Sequence, residues 1–345
     1  SNVTNMANTF SSAINFNGNI SSWNVSNVGS MFTMFNNAQS FNQNIGSWDV
    51  SNVTIFSGMF QNAINFNQPI GSWNTSNGLA FNAMFQGATN FNQPLGTWDV
   101  SNTTNLIAMF KGTAFNQNIS AWDVSNVQIF TQMFQNTPFN QPIGSWNVGS
   151  ADDMSEMFKG TPFNQNISGW NVSNVQFFSS MFENATNFNQ PIGSWNVGSA
   201  NNMFEMFKGT PFNQNISGWN VSNVQTFDYM FQNATNFNQP IGSWNVGSAL
   251  SMISMFNLAT AFNQDIGAWD ISSVTDFSNF MLGKTDTDYL AIYLDSIYNT
   301  WSTLTVQPNL TNVNFGTIKY TLAGQAGKNI LTGAPNNWGI SDGGI

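Results

Sequence analysis

The sequence predicts a solenoid of 24–25-residue coils with a small mixed cap at its C-terminal end, and three observations predict it. Tryptophan recurs at Trp23, Trp48, Trp73, Trp98, Trp122, Trp146, Trp170, Trp195, Trp219, Trp244 and Trp269, at intervals of 24 or 25 residues. Each lies in a version of FNQNIGSWDVSN, residues 41–52, and a Met-Phe pair falls between one tryptophan and the next. All four short intervals lose their residue at one place, between the Met-Phe pair and the Phe-Asn-Gln triplet, as Phe60…Phe66 against Phe158…Phe163 shows. A deletion confined to one point marks a loop that shortens without moving the core.

One coil gives the expected elements in order. Trp48 and Val50 are two apart and share a face of an extended segment, so Ile-Gly-Ser-Trp-Asp-Val reads as a short parallel strand. Ser51 and Asn52 form a turn and are good N-caps. Val53, Phe56, Met59 and Phe60 then fit one short α-helical or 3-10 stretch. Asn-x-Phe-Asn-Gln closes the coil as a polar loop. Pro69, Pro94, Pro142, Pro191 and Pro240 have no N–H for a ladder, so the strand is expected to start after them and to run about five residues.

About eleven such coils occupy residues 1–281. A single coil cannot cover its own Phe and Trp side chains, but flanking coils can, at about 4.8 Å per coil, which makes a rod on the order of 50 Å long. The eleven tryptophans are the expected core ladder. Residues 282–345 read as a C-terminal capping region. Tyr289, Leu290, Tyr293, Leu294, Ile297, Trp301 and Leu304 have helical spacing, with Asp286 or Thr287 as cap, and VNFGTIKYT and NNWGISDGGI read as strands.

Composition removes several function classes. With 15% aromatic and 41% apolar residues the chain is not disordered. Only 6% of residues are charged, the net charge is −10, and all six cations are Lys. No basic stripe exists to displace counterions from nucleic acid or to dock on anionic lipid. No apolar run approaches the ~18 residues of a membrane span, and no signal peptide is evident. The chain opens on SNVTNM, inside a repeat, which predicts either a segment removed upstream or a solenoid that starts without a cap.

The motif Phe-Asn-Gln-x-Ile-x-x-Trp-Asp/Asn-Val-Ser-Asn-Val followed by Met-Phe, over residues 1–281, resembles the repeat of BspA-like surface proteins, which are related to leucine-rich repeats. The tail FGTIKYT…LTGAPNNWGISDGG is similar to endings found after such arrays. The resemblance implies a leucine-rich-repeat-like fold, an extracellular, cell-surface or virion-surface location, and a role in adhesion or partner binding. It supplies no catalytic residues.

With no His and no Cys, Ser-His-Asp, Cys-His and His-ligated metal chemistry are impossible. Asp99 with Asp123, or Asp152, Asp153 and Glu156, are the carboxylates available for glycoside hydrolysis or Ca²⁺, but no pocket-forming insertion and no Ca²⁺-loop spacing accompanies them. No enzyme activity, cofactor or metal is therefore expected. Lys111, Lys159 and Lys208 sit in one loop and read equally as an interaction stripe or as relief of negative charge. Asn24, Asn52, Asn118, Asn171 and Asn220 lie in sequons that an Asn-rich chain produces by chance. Scattered Thr argues against ice binding.

The residue after each Trp is Asp or Asn, and a turn-capping acceptor explains both. That column and its neighbours form the candidate interaction face: Ser47, Asp49, Ser72, Asn74, Thr97, Asp99, Ala121, Asp123 and Asn147. The expected partners are a surface protein or glycan, bound in multivalent fashion. The alternative is a structural subunit that polymerises with copies of itself, head to tail, into an extracellular filament.

Overall fold

A computed structural model describes residues 2–345; Ser1, the first residue of the predicted array, lies outside the described residues. The chain forms two compact units, Ser1–Val172 and Ser173–Ile345. Regular secondary structure is sparse. The helices are α1 (Ala291–Trp301) and α2 (Gln325–Thr332), and the strands are β1 (Val313–Asn314) and β2 (Ile340–Ser341), paired in parallel.

The repeats contain neither the predicted helix nor the predicted strand. In place of a helix, Phe56 to Ala63 makes overlapping four-residue turns: Met59 N–H donates to Phe56 O, Gln61 to Gly58 O and Ala63 to Phe60 O. The intervening amides leave the coil. Phe56, Gly58, Phe60 and Asn62 donate to Ala80, Asn82, Met84 and Gln86 of the next repeat, at 2.7–3.0 Å. Gly58 and Asn62 have positive φ (61° and 57°), the conformation of the third residue of a type II turn. A helix would have turned every N–H inward; here every second one links repeats.

The second left-handed position of each turn is Asn37, Asn62, Gly87, Gly112, Asn136, Gly160, Asn184, Gly209, Asn233 or Gly283, residues that adopt it at least cost; Ser12 and Leu258 are the exceptions.

The predicted strand is replaced by a turn at Gly46–Ser47 followed by extended chain with no ladder of its own. Parallel bridges occur elsewhere, between Val53 and Phe56 of each coil: Asn5–Ser30–Ile55–Ala80 in the first unit and Phe177–Asn202–Thr226–Ser251–Asp276 in the second. Side chains do the cross-linking that a strand would have done. Trp48 Nε1 donates to Ile20 O at 3.2 Å, and the same bond to a carbonyl 27 or 28 residues upstream recurs at Trp73, Trp98, Trp122, Trp146 and Trp170 in the first unit and at Trp219, Trp244 and Trp269 in the second. Gly46 is required because a Cβ there would lie 2.4 Å from Pro69 O of the next coil.

Inside each unit the aromatic rings form two rows. Phe60 and Phe66 of one coil stack with centroids 3.8 Å apart, Phe60 stacks on Phe35 and Phe85 at 5.6 Å, and Phe66 on Phe91 at 6.0 Å. Burying each ring contributes roughly 1.5–3 kcal/mol. From Trp48 to Trp269 the predicted ladder tryptophans are at most 4% exposed. Trp23 departs from the expectation at 39% exposed.

The short coils keep the same stacking by a side-chain substitution. In a long coil Phe66 N–H donates to Ala63 O; in a short one Phe115 N–H donates to the Thr113 hydroxyl, which itself donates to Phe110 O at 2.7 Å. Thr137, Thr161 and Thr210 do the same, so a hydroxyl stands in for the carbonyl of the missing residue.

Residues 282–345 continue the repeat pattern with different chain. Tyr289 stacks on Phe262 in the row of phenylalanines, and Leu290 N–H takes the bond to Asn263 Oδ1 that a Phe-Asn pair makes elsewhere. Asn279 and Met281 donate to Asn312 and Asn314 O beside and within β1. Of the predicted stripe α1 buries Leu294, Ile297 and Trp301, and it also buries Tyr298, while Leu290 is 47% exposed and Leu304 lies beyond the helix; neither Asp286 nor Thr287 caps it, and Leu290 occupies the N-cap without a side-chain bond. α2 was not expected, because its stretch carries no apolar stripe beyond Leu331.

Lys284 is 1% exposed and its amine donates to Ala259 O (2.7 Å) and Thr260 O (3.2 Å). Burial lowers its pKa to about 8, opposed by the carboxylate of Asp288.

Two outcomes follow from these positions. Leu258→Asn relieves a left-handed leucine and raises stability by about 0.5–1 kcal/mol in urea denaturation. For Lys284 the unfolded chain holds the extra proton between about 8 and 10.5, so stability rises with pH through that window. Relative to Lys284→Met, the native protein gains about 2 kcal/mol between pH 7.5 and 9.5, read as the difference in urea midpoints.

Candidate interaction face

The extended chain around each tryptophan puts alternate side chains in opposite environments. Trp48 and Val50 are buried while Ser47 and Asp49 are exposed, and the alternation repeats at Ser72 and Asn74, Thr97 and Asp99, Ala121 and Asp123, and Asn147. All of these candidate residues lie in the first unit. The result is a polar column one residue wide on each side of the tryptophan row, with one entry per coil.

Each Asp or Asn of this column is held by its own turn. Asp49 Oδ1 accepts from Ser51 N–H (3.1 Å) and Ser51 Oγ (2.6 Å). Asn74, Asp99, Asp123 and Asn147 accept in the same way from the residue two positions on. The serine hydroxyl, then its backbone N–H, hold the carboxyls of Asp49, Asp123 and Asp270 below the usual carboxylate range. The hydroxyls of Ser47, Ser72 and Thr97 donate to carbonyls of the preceding coil, so they are fixed in direction.

The structure brings Ser72 and Thr97 together in one shallow depression with Gly71, Pro94, Gly96, Gln117 and Asn118. The sequence reading missed the last five. Gly71 and Gly96 form the depression by lacking side chains, a signal visible as the glycine that follows Ile70 and Leu95. Asp99 and Asp123 are each tied into separate turns.

A second polar column runs through the loop that follows the Met-Phe turns. Asn42, Asn67, Asn92 and Asn116 each accept, through Oδ1, the backbone N–H of the equivalent Asn and the Nε2 of the Gln in the next coil. Lys111 donates to Gln132 Oε1 at 2.9 Å, Lys159 lies 3.9 Å from Glu156, and Lys208 lies 2.5 Å from Glu205 and 3.7 Å from Glu183. The three lysines are thus bound to neighbours on the same surface rather than presented as a free cationic stripe. Asp153 Oδ1 accepts from Ser155 N–H, and Glu156 is engaged by Gln132 and Gln135. Among the described residues, no group of three or more His, Cys, Asp or Glu is placed to hold a metal ion. No helix there is long and apolar enough to cross a membrane.

A family model described as "Mycoplasma protein of unknown function, DUF285" matches residues 1–88, 43–138, 70–162, 115–211 and 201–290. The overlapping matches agree with the resemblance to BspA-like repeats at the level of a repeat family, not of BspA itself. No curated protein and no solved structure matches the chain.

Replacing Asp49 separates charge from capping. Asp49→Asn keeps the Oδ1 acceptor and leaves the thermal midpoint within about 1 °C, whereas Asp49→Ala removes it and lowers stability by up to about 1 kcal/mol. Equal loss in both variants, measured by thermal unfolding at pH 7, contradicts the capping role.

Proposed function

Because the chain belongs to the DUF285 repeat family, whose description names no activity, we propose that it is a non-enzymatic, surface-exposed solenoid that acts in adhesion or partner recognition. The observation that carries this reading is the alternation around the tryptophans. From Trp48 to Trp146 the face presents small or polar side chains, most of them fixed by their own turn or by the preceding coil, beside a buried ring. Such a surface offers many similar shallow contacts and no reacting group, which suits weak binding multiplied over several coils.

The solenoid reading is supported within each unit by parallel bridges and backbone bonds between equivalent residues of successive repeats. An extracellular or cell-surface place is supported by the repeat resemblance, and by a surface made soluble by amides and hydroxyls with few charges.

The test is retention of cultured animal cells on the immobilised full chain. The reading predicts retention above an albumin-coated control, reduced about tenfold by the combined changes Asn74→Lys, Asp99→Lys and Asp123→Lys. Retention equal to albumin, or unchanged by the three lysines, counts against it.

A further inference from the structure

The second unit has an open groove that the sequence reading did not identify. Phe177, Asn201, Asn202, Gln225, Thr226, Asp228, Leu250 and Ser251 line it, and they come from four successive coils. Its two ends are apolar and exposed: Phe177 is 39% and Leu250 is 48% accessible. Everything between them is an amide, a hydroxyl or a carboxylate, and no cation lines it.

Two of the polar groups are held with one atom free. Asn202 lines the groove and its Oδ1 accepts from Phe204 N–H at 2.9 Å, which leaves its Nδ2 as a donor for a ligand. Asp228 also lines the groove, and its Oδ1 accepts from Ser251 Oγ (2.5 Å) and Ile253 N–H (2.8 Å), which leaves Oδ2 as an acceptor for a ligand. Gln225 is exposed, and its carbonyl receives Leu250 N–H, so the backbone that carries its amide is anchored. A fixed acceptor and a fixed donor on neighbouring coils match a pair of adjacent hydroxyls, one giving a proton and the other receiving one. An exposed aromatic ring beside them matches the apolar face of a sugar ring. Parallel bridges join Phe177, Asn202, Thr226 and Ser251 along the groove, so equivalent groups of successive coils recur at about the 4.8 Å spacing of paired strands.

We propose that this groove is a saccharide-binding site for a neutral, extended oligosaccharide, with Phe177 as the stacking platform and Asn202, Gln225 and Asp228 as the hydroxyl-recognising groups. Charge decides for a neutral sugar over an acidic one: the groove contains a carboxylate and no cation, on a chain of net charge −10. The site shares no residue with the face assigned above to recognition, so each stands or fails separately.

The test is calorimetric titration of the full chain with cellotetraose, mannotetraose, chitotetraose and tetragalacturonate. The proposal expects at least one neutral tetraose to bind in the millimolar range or tighter and tetragalacturonate to bind at least about fivefold more weakly. Phe177→Ala weakens the neutral sugar about fivefold or more, and Phe177→Trp retains it. Asp228→Asn keeps the Oδ1 bonds that hold the coil but turns the free acceptor into a donor, and weakens it by a similar factor. Absence of binding by all three neutral sugars at about 10 mM overturns the proposal, as does binding unchanged in both Phe177→Ala and Asp228→Asn, or preference for the acidic sugar. Cell retention that persists without sugar binding leaves the recognition reading in place and removes this one.

Discussion

Everything in the repeats depends on where alternate backbone N–H groups of the Met-Phe turn point. Phe56, Gly58, Phe60 and Asn62 give theirs to the next coil, while Met59, Gln61 and Ala63 close turns within their own. This division sets one register between repeats, since a one-residue slip would exchange the two sets of donors and turn Phe60 out of the core. The left-handed residues are the means: Gly58 and Asn62, the positive-φ positions of this turn, are both donors across the gap. Their conformational cost is tolerated because the bonds on both sides over-determine it.

Once that register is set, every other row follows at the same spacing. The phenylalanine pairs, the indole-to-carbonyl bonds and the Asn-Gln column each repeat from coil to coil within a unit. This also explains how a protein with 6% charged residues stays ordered and hydrated. Its amide side chains complete backbone bonds between coils, and its few aspartates are dispersed among asparagines in the same turns. A column of carboxylates at that spacing would repel.

The period, the tryptophan row, the exposed column beside it and the point where coils shorten were all legible in the sequence, because each is a regular spacing of chemically distinct residues. The turn was not. Phe56, Met59 and Phe60 have the spacing of a helix face, and tandem turns with left-handed third residues bury the same set. The distinguishing signal was the Asn or Gly that recurs two residues after every buried Met-Phe phenylalanine except Phe256, as at Asn37, Asn62, Gly87 and Gly112. The strand was misplaced for a related reason: Trp48 and Val50 alternate as in a strand, but the backbone there is cross-linked through side chains. The saccharide groove was hidden because Phe177 and Leu250 occupy positions held by different residue types in each coil, so no periodicity marks them.

Residue-resolved amide hydrogen exchange tests the central claim most directly. The account predicts that the amides of Phe56, Gly58, Phe60 and Asn62 exchange only with unfolding of their unit, while the neighbouring Ser57 amide, which has no such partner, exchanges orders of magnitude faster. Uniform protection along residues 56–63, as a continuous helix would give, or rapid exchange at Phe60 and Asn62, contradicts it.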